Sequence, residues 1–406
     1  MNRSAFVRAI LKTFALGAIA LLSGSVCAQP SSGDTPRSAA ASDYYFAYVG
    51  TYTGHKSKGI YGYRFDAKTG QFISLGVMAE VANPSFVATD PNNRFLYAST
   101  ERGDGPPSPA MQQGFLSSFA IDPGTGALTF LNRVSAGGTS TAHLVVDHTA
   151  NALFVANYGS GTVASFALKS DGRIGELTGI DQHIGSSVDT RRQQGPHPHS
   201  VVLSPDHRFL FVPDLGLDKV FSYRIDTAKG TFQPNDPPFV TVNAGLGPRH
   251  LTFGVGAKFA YAVCEMGSKV VAFSYDHLKG SLIPIQTIST LPPGFTGEDN
   301  SAEIEADRSG RFLYASNRGN DSITVFGIDP QKGMLTKVQV IPTGGKTPRN
   351  FVIDPTGRYL IVANQDSNTM TILDIDRQTG ELTPTRQVLD VPSPVAILFI
   401  PAIKSR

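Results

Sequence analysis

Residues 350–364, NFVIDPTGRYLIVAN, contain the pattern that decides the fold: an apolar strand, an Asp-Pro turn and a second strand rich in aromatic and branched residues. The pattern returns as FVATDPNNRFLYAST at residues 86–100, SVVLSPDHRFLFVPD at 200–214 and EIEADRSGRFLYASN at 303–317. Weaker copies begin at His143 and His250, so six copies follow one another at spacings of 47 to 57 residues. Repeats of this length are typical of the four-stranded blades of a β-propeller.

A seventh, incomplete copy opens the folded region. YYFAYVGTY at residues 44–52 and GIYGYRFD at 59–66 supply a second and a third strand, with no first strand before them. SPVAILF at residues 393–399 resembles the missing strand. We therefore predict an all-β, seven-bladed β-propeller over residues 43–400, with the ring closed by the C-terminal strand pairing into the N-terminal blade. Closure removes the exposed sheet edges that an open array would leave.

The first 28 residues are predicted to be a secretory signal peptide. They combine a basic start, an apolar run at residues 14–22 that is too short to span a bilayer, and the small-residue ending Val-Cys-Ala. A lipid anchor on Cys27 is the alternative, disfavoured by the bulky residue before it. Residues 29–42, rich in Ser, Ala, Pro and Gly, are expected to be a disordered tether. We expect a periplasmic or secreted protein with no membrane insertion after cleavage.

Charge and cysteine content narrow the class of protein further. Loss of the signal leaves 32 Lys and Arg residues against 33 Asp and Glu residues, a net charge of −1. A nearly neutral chain argues against a nucleic-acid partner. Cys264 is then the one remaining cysteine, which excludes an intramolecular disulfide, and its position on the strand predicts a buried structural thiol. We expect a monomer with a small-molecule partner.

Polar residues of the repeat gather at one rim of the predicted ring. Because the first two strands of a blade are antiparallel, the start of the first and the end of the second lie together. The first-strand starts carry Ser85-Phe86, Ala142-His143, His199-Ser200, Arg249-His250, Ala302-Glu303 and Arg349-Asn350. The second-strand ends carry Glu101, Tyr158, Leu215, Glu265, Arg318 and Gln365. Long segments at residues 102–113, 185–196 and 291–300 open on the same rim, as loops of a binding face do.

Several spaced motifs resemble those of a known family. They are YVGTYT at residues 48–53, GPHPHSV at 195–201, GPRHLTF at 247–253, YAVCEMGSKV at 261–270, YASNRGNDSI at 314–323 and PRNFVIDPTGRYLIVANQ at 348–365. Over residues 44–399 the chain resembles the lactonase-type seven-bladed propellers, which include 6-phosphogluconolactonases and 3-carboxymuconate cyclases. The resemblance implies an enzyme that opens or closes a lactone ring, since the family covers both hydrolysis and intramolecular lactonisation. The family's catalytic histidine, two arginines and glutamate map onto His199, Arg249, Arg318 and Glu265.

The residue types fit an acidic lactone as substrate. The forked guanidinium groups of Arg249, Arg318 and Arg349 suit a carboxylate or a phosphate, and one of them can stabilise an oxyanion. Either Glu265 or His199 can serve as the general base, and the sequence leaves that choice open. The expected supporting, substrate-binding residues are His197, His250, Glu303, Arg349 and Asn350.

Three other interpretations stay open. A divalent metal at the mouth would use His197, His199, His250, Glu265 and Glu303. The neighbouring arginines disfavour a cation and the carboxylates are too few for calcium, so we predict neither metal nor cofactor. The chain can instead be a non-catalytic envelope propeller that binds a protein or a glycan, or a muconate-type cyclase.

Of these interpretations, the one that we predict is an exported lactonase that hydrolyses a small acidic, sugar-type lactone.

Overall fold

The computed structural model describes residues 43–54, 56–101, 113–149 and 151–402, which form seven four-stranded antiparallel sheets. Within these ranges every regular element is a strand. None of the described residues forms a helix of the length and apolarity that a membrane crossing requires. The predicted signal peptide and tether lie outside the described residues. The predicted all-β, seven-bladed propeller is confirmed.

Each sheet is one blade, and its four strands follow one another from the central channel outward. Blade 1 contains β28 (Pro394–Pro401), β1 (Tyr44–Thr51), β2 (Gly59–Asp66) and β3 (Gln71–Glu80). Blade 2 contains β4 (Pro84–Thr89), β5 (Phe95–Thr100), β6 (Gln113–Ile121) and β7 (Leu128–Thr139). Blade 3 contains β8 (Thr141–Asp147), β9 (Ala152–Asn157), β10 (Thr162–Leu168) and β11 (Ile174–Gln182).

The remaining four blades repeat this order. Blade 4 contains β12 (Val202–Leu203), β13 (Phe209–Asp214), β14 (Lys219–Asp226) and β15 (Thr231–Thr241). Blade 5 contains β16 (Pro248–Phe253), β17 (Phe259–Cys264), β18 (Lys269–Asp276) and β19 (Ser281–Ser289). Blade 6 contains β20 (Asn300–Ala306), β21 (Phe312–Arg318), β22 (Ser322–Ile328) and β23 (Leu335–Pro342). Blade 7 contains β24 (Pro348–Ile353), β25 (Tyr359–Asn364), β26 (Thr369–Ile375) and β27 (Leu382–Asp390).

The ring closes as the sequence predicts. The C-terminal strand β28 pairs antiparallel with β1, from Tyr45 opposite Pro401 to Thr51 opposite Pro394. It also lies against the first strands of blades 2 and 7. The last strand of the chain therefore supplies the first strand of the first blade.

The hydrophobic core is divided among the contacts between blades. Seven clusters of buried apolar side chains occur in the described residues, and each joins two neighbouring blades. In the cluster between blades 4 and 5, for example, the rings of Phe211 and Tyr275 are 5.7 Å apart at nearly right angles. Middle strands such as β9 are buried along their whole length, whereas outer strands such as β11 are half-buried or exposed after their first residue. A blade is thus stabilised mainly by its two neighbours.

The turns between third and fourth strands do more than reverse the chain. Six of their glycines have positive φ and lie against an aromatic ring near the start of the second strand of the preceding blade: Gly70, Gly126, Gly172, Gly280, Gly333 and Gly380. A Cβ added at any of them would come within 2.8 Å of that ring. The absence of a side chain at these glycines is what allows neighbouring blades to approach.

We predict that Gly280→Ala costs more stability than Gly256→Ala. Both residues have positive φ, at 66° and 79°, so each substitution introduces left-handed strain of about 1–2 kcal/mol. At Gly280 the new Cβ also falls 2.2 Å from Cδ1 of Phe209, whereas nothing lies within 4 Å at Gly256. Overpacking adds about 1–3 kcal/mol, which guanidinium unfolding of the two variants measures. Equal losses of unfolding free energy would show that the contact between blades has no steric importance.

Candidate active site

A β-bulge at the start of the inner strands directs side chains to the mouth of the channel. The register between first and second strands shifts after the opening residue in blades 2, 3, 5 and 7, and a longer irregularity occurs in blade 6. In blade 5 the shift lies between Pro248 and His250, so two residues oppose one. A bulge of this kind re-aims a side chain. Arg249 consequently reaches Glu265 while the adjacent His250 reaches Glu303 in the channel.

Glu265 is the centre of the site. It follows β17, is 6% exposed, and its carboxylate contacts the guanidinium groups of three arginines. Its Oε2 lies 3.1 Å from Nε of Arg249 and 2.9 Å from Nη2 of Arg318. Its Oε1 lies 2.7 Å from Nη2 of Arg192. Three of the four residues that the family resemblance assigned to catalysis therefore meet directly.

Backbone carbonyls of blade 6 fix two of the arginines. Arg249 donates from Nη1 to the carbonyl oxygen of Ala302 at 2.6 Å. Arg318 donates from Nε to the carbonyl oxygen of Asn300 at 3.1 Å and from Nη2 to that of Ser301 at 3.3 Å. The guanidinium planes are thus set by the start of β20, and neither arginine depends on a flexible partner for its orientation.

The arginines dominate the electrostatics of Glu265. Burial alone raises the pKa of a carboxyl group, but here the charges of Arg318, Arg249 and Arg192 outweigh burial and hold the pKa of Glu265 far below its ordinary value. Burial, reinforced by the charge of Arg318, lowers the pKa of Arg249 to about 9, so the guanidinium stays charged at neutral pH. Glu265 is therefore an ionised anchor for the arginines and a weak base.

Arg192 comes from the insertion at residues 185–196, which the sequence placed on this rim without singling out the residue. The insertion is held by its own contacts. Gln193 is buried and donates from Nε2 to the carbonyl oxygen of Leu215 at 2.8 Å. Asp189 accepts the backbone N–H of Arg192 at 2.9 Å. The loop thereby presents the Arg192 guanidinium to Glu265 and to the hydroxyl of Tyr158.

Arg349 occupies the opposite side of the mouth with partners of its own. Its Nη2 lies 3.6 Å from Oε2 of Glu101, and its guanidinium lies 5.2 Å from the ring centre of Tyr52. The hydroxyl of Tyr52 donates to the same carboxylate oxygen of Glu101. The described part of the mouth thus carries four arginines that contact two carboxylates, which favours an anionic ligand.

His197 and His199 belong to a segment that crosses the mouth in place of a full first strand. Instead of a strand from Ser200, blade 4 has the two-residue β12, preceded by a single bridge from Pro198 to Asp214. His197 stacks on Tyr158 with ring centres 4.4 Å apart. His199 is buried and its Nδ1 has no hydrogen-bond partner among the described residues. Burial, then the charge of Arg249, lowers the pKa of His199 well below 6.5, so the imidazole is neutral at pH 7.

A buried polar network anchors this segment. Oδ1 of Asp214 accepts the backbone N–H of His197 at 2.8 Å, and Oδ2 lies 2.6 Å from Nδ1 of His183. Nε2 of His183 lies 2.7 Å from the hydroxyl of Tyr223. Both the His183 and Asp214 side chains are fully buried. The position of His199 therefore depends on contacts made beneath the rim.

The remaining predicted residues form a second network inside the channel. Nδ1 of His250 lies 2.8 Å from Oε1 of Glu303, whose Oε2 accepts a hydrogen bond from Nδ2 of Asn350 at 2.5 Å. The rings of His143 and His199 each lie 5.3 Å from that of His250. Burial opposes ionisation of Glu303, yet His250 and Arg249 keep its pKa below the ordinary value. These residues lie beside the Glu265 cluster and form hydrogen bonds with one another.

Sequence reasoning missed Arg192 and gave no role to Tyr52, Glu101 or Tyr158. The sequence does place these residues at the rim. Glu101 and Tyr158 follow second strands, Tyr52 lies in the YVGTYT motif, and Arg192 lies in a rim insertion. The insertion at residues 102–112 lies outside the described residues. Cys264 is buried and free, as predicted, and burial raises the pKa of its thiol.

Comparison with known proteins agrees with this architecture. The family model described as "Lactonase, 7-bladed beta-propeller" matches residues 46–399. A 6-phosphogluconolactonase of Bacillus subtilis is 35% identical over 316 residues, which cover 76% of this chain and 85% of the relative. One from Formosa agariphila is 33% identical over 313 residues, covering 76% and 86%.

Solved structures give the same result. A periplasmic gluconolactonase of Pseudomonas aeruginosa superposes with a TM-score of 0.84 at 35% identity, covering 89% of this chain and 100% of the other. Because the family match spans nearly all of the described residues and relatives above 30% identity are covered over most of their length, the chain belongs to the lactonase family of seven-bladed β-propellers.

Proposed function

We propose that this chain is an exported lactonase that hydrolyses a small acidic, sugar-type lactone at the mouth of the channel. Lactone hydrolysis is the activity of the named relatives. The observation that carries the finer proposal is the meeting of Arg192, Arg249 and Arg318 on one buried carboxylate, Glu265. Guanidinium groups in excess of carboxylates suit a substrate that carries its own carboxylate or phosphate.

In this proposal the arginines bind the substrate and stabilise its negative charge, and His199 transfers the proton. Arg318 and Arg349, each about 15% exposed at the side chain, bind the substrate's anionic group and stabilise the oxyanion that forms on the lactone carbonyl. Glu265 holds the guanidinium groups in place and stays ionised. His199 is the better general base, because its imidazole is neutral at pH 7, whereas three arginines hold the Glu265 carboxylate. It takes a proton from the attacking water and returns it to the ring oxygen as the C–O bond breaks.

Arg318→Lys tests the arginine cluster. Lysine keeps the charge but loses the planar fork that contacts Glu265 and two carbonyl groups together. We expect kcat/KM to fall at least about tenfold, or about 1.4 kcal/mol of transition-state stabilisation, in a hydrolysis assay with a panel of acidic and neutral aldonolactones. Arg386→Lys, on the exposed face of β27, is the matched control and should keep wild-type activity.

Two results of that assay would overturn the assignment. Wild-type protein that hydrolyses none of the acidic lactones above the spontaneous rate would favour a non-catalytic binding propeller. Full activity in Arg318→Lys would place the site elsewhere. A preference for neutral over acidic lactones would contradict the anionic substrate while leaving lactonase activity intact.

The pH dependence tests the role of His199. Burial and Arg249 lower its pKa, and the neutral form is the active one, so kcat/KM should fall only when pH drops below 6.5 through that lowered pKa. His199→Gln should lower kcat by about a hundredfold or more and remove this acidic limb. A His199→Gln variant that retains wild-type kcat would show that His199 is not the base.

Export is tested at the N-terminus. The basic start, apolar run and Val-Cys-Ala ending predict cleavage after Ala28, and a relative of similar structure is described as periplasmic. Protein expressed in a Gram-negative host should appear in the periplasmic fraction, and its mass should be that of a chain that begins at Gln29. A version lacking residues 1–28 should stay in the cytoplasm. Uncleaved chain in the cytoplasm would contradict export without affecting the lactonase proposal.

A further inference from the structure

Blades 3 and 4 meet at a corner on the rim opposite the mouth. The inner strand β8 runs from Thr141 at the mouth to Asp147 at this rim, and the first turn of blade 4 brings His207 beside it. Donor atoms of Asp147, His148 and His207 all lie within 4.8 Å of one another. Nδ1 of His207 is 3.1 Å from Oδ1 of Asp147, and the two imidazole rings are 4.4 Å apart between centres.

The repeat itself shows that His148 is not needed for the turn. The second residue of this turn is Pro91, Pro205 or Pro355 in three blades, Val255 in blade 5 and Arg308 in blade 6, so the turn has no requirement for histidine. Proline presets the backbone of such a turn, so it is the residue that turn formation alone favours. Blade 3 has histidine there, exposed at the rim and directed at the neighbouring blade.

His207 occupies a turn position whose residue type varies between blades. Its φ is +57°, a left-handed conformation shared by Asn93, Ala257 and Gly357 at the same point of other blades. Glycine, asparagine and histidine are among the residues that adopt this conformation most often, so His207 fits the turn but is not required by it. Two positions at which the turn does not require histidine, one in each blade, therefore place imidazole groups at the same corner.

Asp147 is the third member of this group. Its side chain is fully buried, and its Oδ1 accepts hydrogen bonds from the backbone N–H and the hydroxyl of Thr149, both at 2.7 Å. Asp354 makes the same two bonds with Thr356 in blade 7, so they belong to the turn and fix the direction of the carboxylate. The nearby cation Arg208 is paired with Asp206 at 2.7 Å, which reduces its repulsion of a bound ion.

We propose that Asp147, His148 and His207 bind one divalent transition-metal ion of the Zn²⁺ or Ni²⁺ class at this corner. Two imidazoles and one carboxylate are a ligand set for such ions, with water completing the shell, whereas a single carboxylate is too little for Ca²⁺. In a tetrahedral shell the donor atoms lie about 3.4 Å apart, which rotation of the exposed His148 side chain can reach. The ion would link two blades far from the mouth, so it would stabilise the ring without taking part in hydrolysis.

Calorimetric titration of the tag-free chain with ZnCl₂ tests this site. We expect one Zn²⁺ per chain, a Kd that rises at least tenfold in His207→Asn and in His148→Ala, and a Zn²⁺-dependent rise in Tm that both variants lose. Asparagine suits the left-handed turn, as Asn93 shows, so His207→Asn should unfold like wild type without metal. His277→Ala, an exposed histidine between β18 and β19, is the control and should bind like wild type.

The outcomes are decisive in both directions. Loss of binding in both corner variants with binding retained in His277→Ala supports the site. Absence of binding in the wild type, wild-type affinity in either corner variant, or equal loss in the control would overturn it. Lactone hydrolysis by His207→Asn should equal that of the wild type, so failure of this proposal leaves the proposed function untouched.

Discussion

The packing of each blade on its neighbours is the constraint on which the rest of this structure depends. A single four-stranded sheet cannot bury its apolar faces, and every hydrophobic cluster in the described residues spans two blades. The turn glycines allow this approach because an aromatic ring of the preceding blade occupies the space of a side chain. The seven clusters between blades form a closed ring only because β28 pairs with β1. The closed ring brings the inner strands together around one channel.

The ring gives the mouth its chemistry because it gathers strand starts that are distant in the chain. Glu265 in blade 5 binds arginines from blades 5 and 6 and from the insertion before blade 4. Removing a buried carboxylate of this kind leaves the buried guanidinium groups without a counter-charge, which lowers the free energy of unfolding by about 3–5 kcal/mol. The arginines therefore depend on Glu265 for their placement. The scaffold supplies the rigidity that holds like charges at short distance, and the excess positive charge remains available to a ligand.

Comparison between blades is also a means of finding function within one chain. Positions that only build the fold repeat their residue type, as the turn Asp, the following Pro and the turn Gly do. At the mouth, where the strands are otherwise apolar, the corresponding positions differ between blades and carry Arg249, Glu265 and Arg318. A repeat fold thus contains its own reference for separating structural from chemical residues.

The sequence by itself determined the β-propeller, the number of blades, the closing strand and the rim that carries Arg249, Glu265 and Arg318, because strand alternation and turn chemistry are local properties that recur in every copy. Only the tertiary structure divided the polar residues of the mouth into the Glu265 cluster, the pair of Arg349 with Glu101 and the channel network of His250. Only it added Arg192, which is 73 residues from Glu265 along the chain. Such contacts depend on bulges, on a shortened strand in blade 4 and on the path of an insertion, none of which a repeating pattern specifies.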